Sequence, residues 1–251
     1  MIKEKRIQRI EEYVSKNQTA SLDELVKVFN VSKNTIRRDI QGLVERGDFR
    51  KVYGGIAINE KKLESFQDRQ VKNQKGKALI GKLASEFVED GDIIFIDSGT
   101  TTIEMFEYIK EKKITILTNN IEFIVRSIPF PSLNIISTGG ILERETNAFT
   151  TLDNTELFNT YNINKAFMAT TGISLSKGVT NSSPLETGLK QAIVQKSNKV
   201  FLLVDSTKFE KLGLMTYCQL ADVDYIVSDK KILVEYEKYA AEHDIHIIAP
   251  K

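Results

Sequence analysis

Asn34, Arg38 and Gln41 follow one another at spacings of four and three residues. A helix turns by about 100° per residue, so the three share one face, flanked by Thr35 and Arg37. Groove recognition needs this set of side chains. Arginine forks onto guanine edges or phosphates, and Asn or Gln matches adenine. Ser32, Lys33 and Thr35 stand where that helix begins, so amides and hydroxyls there can hold a backbone phosphate. Arg50, Lys51 and Tyr53 follow in a short alternating run and predict a basic wing beside the backbone or the minor groove. The plain alternative is a small three-helix domain with a solvated basic face. Charge favours the first reading. Residues 1–58 hold 12 Lys+Arg against 8 Asp+Glu, hence net +4, whereas the rest is net −3 and the whole chain only +1. Double-stranded DNA is the partner such a segment suits.

A second set of residues could hold an anion. Asp97-Ser98-Gly99-Thr100-Thr101-Thr102 follows an apolar strand-like run and opens a helical pattern. Gly99 permits close backbone approach, and threonine hydroxyls with helix-start amides can cradle a phosphate. An ordinary βα turn with a Thr cap would look the same. Thr118-Asn119-Asn120, Gly139-Gly140, Thr171-Gly172 and Asp205-Ser206-Thr207-Lys208 also each follow an apolar run. In a parallel sheet such ends converge on one crevice, although each alone is compatible with turn chemistry. Catalytic and metal chemistry is poorly provided for. The only histidines, His243 and His246, lie near the C-terminus, no Cys/His cluster has metal-ligand spacing, and Cys218 reads as a buried small side chain. No cofactor is implied.

The elements that must position these residues read as follows. Ile7, Ile10 and Val14 give a first helix its stripe. Ser21 caps a second, with Asp23 and Glu24 in its first turn and Leu22, Leu25, Val26 and Phe29 buried. Asn30-Val31 is a tight connection. Ser32 caps a third helix, with Ile36, Ile40, Leu43 and Val44 inward and Gly47 at its end. Two short helices joined by a tight turn make a helix-turn-helix. A strand over 49–53 and Gly54-Gly55 add the wing. Asp39 is the exception on the recognition helix and is expected to pair with a neighbouring Arg. Residues 58–73 are polar and weakly periodic and read as a linker between a domain over 1–57 and one over 74–251. Beyond the linker, strand-like runs at 92–97, 114–118, 133–137, 165–169, 199–204, 225–228 and 245–249 alternate with helical runs. The helical runs are 77–88, 101–109, 121–127, 186–196 and 235–242. The fold class is therefore α/β, with a largely parallel sheet covered by helices. With 251 residues, 41% hydrophobic and 27% charged, the core can be sizeable. The apolar runs are strand-length, too short to span a bilayer. The start of the chain lacks a signal-peptide pattern and there is one cysteine, so a reducing cytoplasm is expected.

Val31-Ser32-Lys33-Asn34-Thr35-Ile36-Arg37-Arg38-Asp39-Ile40, with Gly47 and Gly54-Gly55, resembles the signature of the DeoR family of bacterial repressors. The segment from about Lys75 to Ser228 resembles that family's sensor domain, itself similar to ribose-5-phosphate isomerase. The resemblance implies a winged helix-turn-helix joined to an isomerase-like sensor, with Asp97 to Thr102 holding a sugar phosphate. Thr118, Asn119, Asn120, Gly139, Gly140, Thr171, Gly172 and Lys208 would line the site, with Lys75 and Glu186 as additions. Asp97 would bind a sugar hydroxyl or stay ionised to orient the loop. Where the isomerase pattern carries two acids, this chain reads Thr171-Gly172-Ile173-Ser174-Leu175, which leaves no base near neutral pH. A sugar-phosphate isomerase is therefore the weaker alternative, and a purely dimerising C-terminal domain is weaker still. Stretches including Val28-Phe29-Asn30-Val31, Lys51-Val52-Tyr53-Gly54-Gly55 and 161–168 resemble the branch of the family that represses myo-inositol catabolism in Gram-positive bacteria. That branch implies operator DNA as partner, a phosphorylated sugar or sugar-acid effector, and a homo-oligomer, dimer or tetramer.

Overall fold

The computed structural model describes residues 3–17, 19–45, 49–58, 65–150 and 160–250. The chain divides into two compact units, 1–63 and 64–251.

The first unit contains α1 (Lys3–Asn17), β1 (Thr19–Ser21), α2 (Leu22–Phe29), α3 (Lys33–Glu45), β2 (Phe49–Val52) and β3 (Gly55–Ile58). Local sequence sets these boundaries. The Ser21 hydroxyl accepts from the Glu24 amide, and the Glu24 carboxylate accepts in return from the Ser21 amide, so two orphan donors of α2 are satisfied reciprocally. Asn30 takes a left-handed conformation (φ 50°) and ends α2. The Ser32 hydroxyl then accepts from the Thr35 amide and starts α3. Ile36, Ile40 and Leu43 go inward, onto Ile10, Val14, Leu25 and Phe29. Gly47, expected to end α3, lies outside the described residues. The three strands pair antiparallel in the order β1-β3-β2, and the β2–β3 hairpin is the wing. Its two-residue turn is Tyr53-Gly54. Gly55 admits no side chain, because a Cβ there would lie 2.3 Å from the Ala20 carbonyl oxygen.

The second unit opens with α4 (Phe66–Val71) and α5 (Gln74–Ser85). Residues 66–71, expected as linker, form a helix. Ser65 caps it by accepting from the Asp68 amide, and Phe66 is buried in the core. Next come β4 (Ile93–Ile96), a 3-10 turn (Thr102–Met105), α6 (Phe106–Ile109), β5 (Ile114–Thr118), α7 (Ile121–Ser127) and β6 (Leu133–Ser137). The helix expected over 101–109 is thus half 3-10. A hairpin, β7 (Ile141–Glu143) and β8 (Ala148–Thr150), follows. The chain continues through β9 (Lys165–Ala169), β10 (Gly172–Ser174), β11 (Gly178–Asn181), α8 (Pro184–Lys196), β12 (Lys199–Leu203) and β13 (Met215–Cys218). It closes with β14 (Tyr225–Val227), α9 (Val234–Glu242) and β15 (His246–Ile248).

Seven strands form one sheet in the order β15-β14-β12-β9-β4-β5-β6, every pair parallel. All seven strand-like runs of the sequence lie in it. Both faces are covered, so the strands are apolar on successive residues rather than alternately. Ile94 and Ile96 face a core with Ile80, Phe106 and Phe123, while Phe95 faces one with Met168, Leu189, Ile193 and Tyr236. The strand order reverses at β4. The chain runs from β4 outward to β5 and β6, then returns to β9 on the other side of β4 and runs outward again. Crevices in open α/β sheets form at such a switch point, beyond the carboxyl ends of the strands.

Candidate functional site

On the first unit, Ser32, Lys33, Asn34, Arg37 and Arg38 are exposed, and Thr35 and Gln41 are half-buried. Four of these side chains are engaged locally. Lys33 pairs with Asp23 at 2.7 Å, Gln41 donates to Glu45 at 2.7 Å, and the Thr35 and Ser32 hydroxyls share a hydrogen bond of 2.9 Å. Asp39 is buried. It pairs with an arginine as expected, but with Arg6 of α1, which reaches both of its oxygens at 2.6 and 3.2 Å. Arg37 and Arg38 therefore keep their charge for the outer face. Arg50 and Lys51 are exposed on β2, and Tyr53 stands fully exposed at the wing tip. A cleft of about 460 Å³ between α3 and the wing is lined by Arg37, Arg38, Gln41 and Lys51 over a floor of Leu22, Ile40 and Gly54. Three cations and an amide on a concave surface with no acid in its lining suit a nucleic-acid backbone.

On the second unit, the loop after β4 sits at the switch point. Asp97 is fully buried. Its Oδ1 accepts from the Ser98 amide at 2.9 Å, and its Oδ2 accepts from the Ala169 amide of β9 at 2.8 Å and from Lys190 of α8. Both of its oxygens are thus engaged within the protein, tying the loop to β9 and α8. Gly99 packs on β9, where a Cβ would come within 2.2 Å of the Ala169 methyl. The Thr102 hydroxyl donates back to the loop and so closes the turn, and the Thr118 hydroxyl is spent on the Ile96 carbonyl at 2.6 Å. Ser98 donates to Glu186 at 3.0 Å. Glu186 is itself buried, and desolvation raises its carboxyl above the usual range, with Lys190 pulling the other way. The groups left to meet a ligand are the Thr101 hydroxyl and the amides of Thr100 and Thr101, which have no hydrogen-bond partner among the described residues.

The nearby lysine is Lys77, not Lys75, which is exposed on α5. Lys77 is buried and donates to the Thr100 hydroxyl at 2.9 Å and to the Arg69 carbonyl. Burial lowers its pKa to about 8. Asp205 counters the shift, and the charges of Lys208 and Arg69 deepen it. Lys208 is half-buried in the loop after β12; its backbone is hydrogen-bonded, and its side-chain ammonium has no hydrogen bond or ion pair among the described residues. The sequence reading missed Lys77 and Lys190. The signal was present, since Lys77 shares a face with Ile80 and Ala84, and Lys190 one with Glu186 and Ile193, as residues of an inward stripe do.

The remaining residues are more dispersed. Gly139 and Gly140, both left-handed (φ 64° and 110°), end β6 at the sheet's edge, two strands from β4. The Thr171 hydroxyl accepts from Ser182, and Gly172 lies under the Lys211 backbone. Ser174 caps the β10–β11 turn by accepting from the Lys177 amide. His243 and His246 are exposed, stacked on Tyr239 and Tyr225. Among the described residues no group of three or more His, Cys, Asp or Glu side chains could hold a metal, and no helix is long and apolar enough to cross a membrane.

A winged helix-turn-helix with a cationic face, followed by an α/β unit whose parallel sheet reverses its strand order at β4, is the architecture of a DNA-binding transcriptional regulator with an appended sensor. The comparisons with known proteins agree. Residues 6–62 match the DeoR-like helix-turn-helix domain, and residues 72–230 match the DeoR C terminal sensor domain. The chain belongs to the DeoR family. It is 44% identical to the HTH-type transcriptional regulator IolR of Bacillus subtilis, over 96% of this chain and 97% of that one. It is 30% identical to the lactose phosphotransferase system repressor of Staphylococcus epidermidis, over 95% and 96%. Among solved structures, ribose 5-phosphate isomerase A of Methanocaldococcus jannaschii covers 55% of each chain at 14% identity, with a TM-score of 0.40. The chain is a regulator and not an enzyme.

Proposed function

We propose that this regulator represses a carbohydrate catabolic operon and leaves its operator when a phosphorylated sugar or sugar acid binds the sensor. The myo-inositol branch, which its motifs resemble, is the operon class assigned. The observation that carries the effector reading is a buried lysine on the switch-point loop: Lys77 donates to the Thr100 hydroxyl beside two unpartnered amides, and its pKa, lowered to about 8 chiefly by burial, also feels the charges of Asp205, Lys208 and Arg69. A dianion there relieves the mutual repulsion of the cations and accepts from the amides. Ser98, Gly99, Thr100 and Thr101 form its floor. Asp97 and Glu186 hold that floor from behind. Asn119 and Asn120 follow β5 beside it, and Gly139, Gly140, Thr171 and Gly172 lie further out on other strand ends. On the DNA side, Asn34, Arg38 and Gln41 face the major groove, and Arg37, Arg50, Lys51 and Tyr53 grip the backbone. Paired half-sites require paired heads, so the working form is a homo-oligomer in the cytoplasm.

A thermal-shift screen against sugar phosphates and phosphorylated sugar acids tests the effector half. A ligand at 100 times its dissociation constant adds about 2.7 kcal/mol. The active compound then releases promoter DNA in a mobility-shift assay. If no phosphorylated compound stabilises the protein, the effector reading falls. If the protein retains no promoter fragment, the DNA reading falls.

A further inference from the structure

Gly42 stands in the body of α3, with three helical residues after it. Glycine is a poor helix former, because its backbone loses the most freedom on ordering. A helix tolerates one where something else requires it. Two such requirements recur in this chain. At Gly55, Gly81 and Gly99 a Cβ would lie 2.2–2.6 Å from a neighbouring atom, and Gly54 and Gly139 hold left-handed backbone. Gly42 meets neither. A Cβ there would have nothing within 4 Å, not even a side chain of its own helix, and its backbone is not left-handed. No packing or backbone constraint inside the protein calls for glycine at this position.

Its place on the helix points outward. Asn34, Arg38 and Gly42 follow at intervals of four residues, so they form one row along α3. Ile36, Ile40 and Leu43 occupy the other side, in the core. Asn34 and Arg38 are exposed, and Gly42 continues their row as bare backbone. The Glu45 carboxylate, in the next turn, accepts from Gln41 at 2.7 Å. A helical side chain leans toward the preceding turn, so any side chain at position 42 would stand over the space beside Arg38. The major groove is about 12 Å wide, and a helix with its side chains is about 10–12 Å across. A helix in that groove has almost no lateral clearance, and one missing side chain decides how deep it seats.

We propose that Gly42 is where a sugar–phosphate wall of the major groove comes against the α3 backbone, so that its bareness sets the depth at which Asn34 and Arg38 reach the bases. Gly42 is a positioning residue and reads no base itself. The inference rests on the reading of α3 as the groove-reading helix.

The test sets stability against DNA binding in the full chain. Gly42→Ala should raise the melting temperature of the first unit by about 4 °C, since nothing in the protein opposes a methyl group there. The same protein should bind the promoter fragment that wild type retains about tenfold more weakly in mobility-shift titrations. Gly42→Leu should also be no less stable than wild type, yet lose about another tenfold. Binding to a random duplex, which rests on charge that neither variant alters, should change by less than roughly threefold. If Gly42→Ala binds the fragment as wild type does, the inference is overturned and groove reading by α3 stands. Equal losses in the two variants would assign Gly42 to helix flexibility and overturn it too. A Gly42→Ala protein less stable than wild type would show that the fold itself requires glycine, with the same result. If wild type retains no fragment, the DNA reading falls and takes this inference with it.

Discussion

Lys190 donates a hydrogen bond to Asp97 inside the core, just past the end of β4 and ninety-three residues away in sequence. Both side chains are buried, and the Lys190 ammonium also lies 5.4 Å from the centre of the Tyr217 ring. The pair ties α8 to the end of β4, and through the Ala169 amide to β9 as well. Removing the ammonium strands a buried carboxylate, so Lys190→Met should cost about 3–5 kcal/mol of sensor stability in urea unfolding. Adding Asp97→Asn to that variant should recover part of the loss, because the uncompensated charge is then gone. A single variant within 1 kcal/mol of wild type would show that the pair does not hold the loop.

Arg37 and Arg38 keep their charge free because Asp39 is engaged by Arg6. Arg38→Ala should cost about 1–3 kcal/mol of operator affinity if it reads a base. A pure phosphate contact would instead weaken specific and random DNA alike and reduce the salt slope by about one. Mobility shifts at several salt concentrations separate the two. If the double change Arg37→Ala, Arg38→Ala binds operator normally, α3 is not the reading element.

Lys77 makes effector binding dependent on pH. Its folded pKa is depressed to about 8, chiefly by burial. Asp205 and Glu104 act to raise it, and Lys208 and Arg69 to lower it. A phosphomonoester loses its last proton near pH 6 and keeps a constant charge above 7. The protonated amine is the form that attracts it, so affinity should be highest near pH 7 and fall as pH rises through 8 to 9. Lys77→Gln should bind more weakly at pH 7 and show a flatter profile. A wild-type profile that is flat, or rises, between pH 7 and 9 would remove Lys77 from the anion's surroundings.

Thr101→Asp places a carboxylate where the anion is expected, and Lys208→Ala removes a cation from beside it. Each protein should bind operator normally and fail to release it at the effector concentration that suffices for wild type. A tenfold change in release requires only about 1.4 kcal/mol of differential binding. Normal release by folded Thr101→Asp would move the phosphate elsewhere.

Much of this was legible in the sequence. Strands buried on both faces are continuous apolar runs, and all seven of the main sheet were found that way. The capping pair Ser21 and Glu24 announced α2, and three inward residues on α3 fixed its outer face. Other features are set by contacts that no local pattern encodes. Lys75 and Lys77 flank Gly76, and only the packing of α5 decides which meets the loop. Lys190 gains its meaning from Asp97. The strands β7, β8 and β10 have three residues each, too few to show a period. Residues 66–71 read as linker because one buried Phe in a polar hexamer leaves no stripe.

The reversal of strand order at β4 also bears on how the molecule is made. β4, β5 and β6 are synthesised together, but the other neighbour of β4 is β9, and Ile94 pairs with Lys165. Until β9 has left the ribosome, half of the sheet has an open edge, and the loop at Thr100 and Thr101 has only one wall. The winged helix, built from local contacts near the start of the chain, is complete long before then. A nascent chain therefore completes its DNA-binding unit before the sheet of its sensor domain closes. An anion bridging the two sides of that late seam would also staple the two halves of the sheet at the last joint to close.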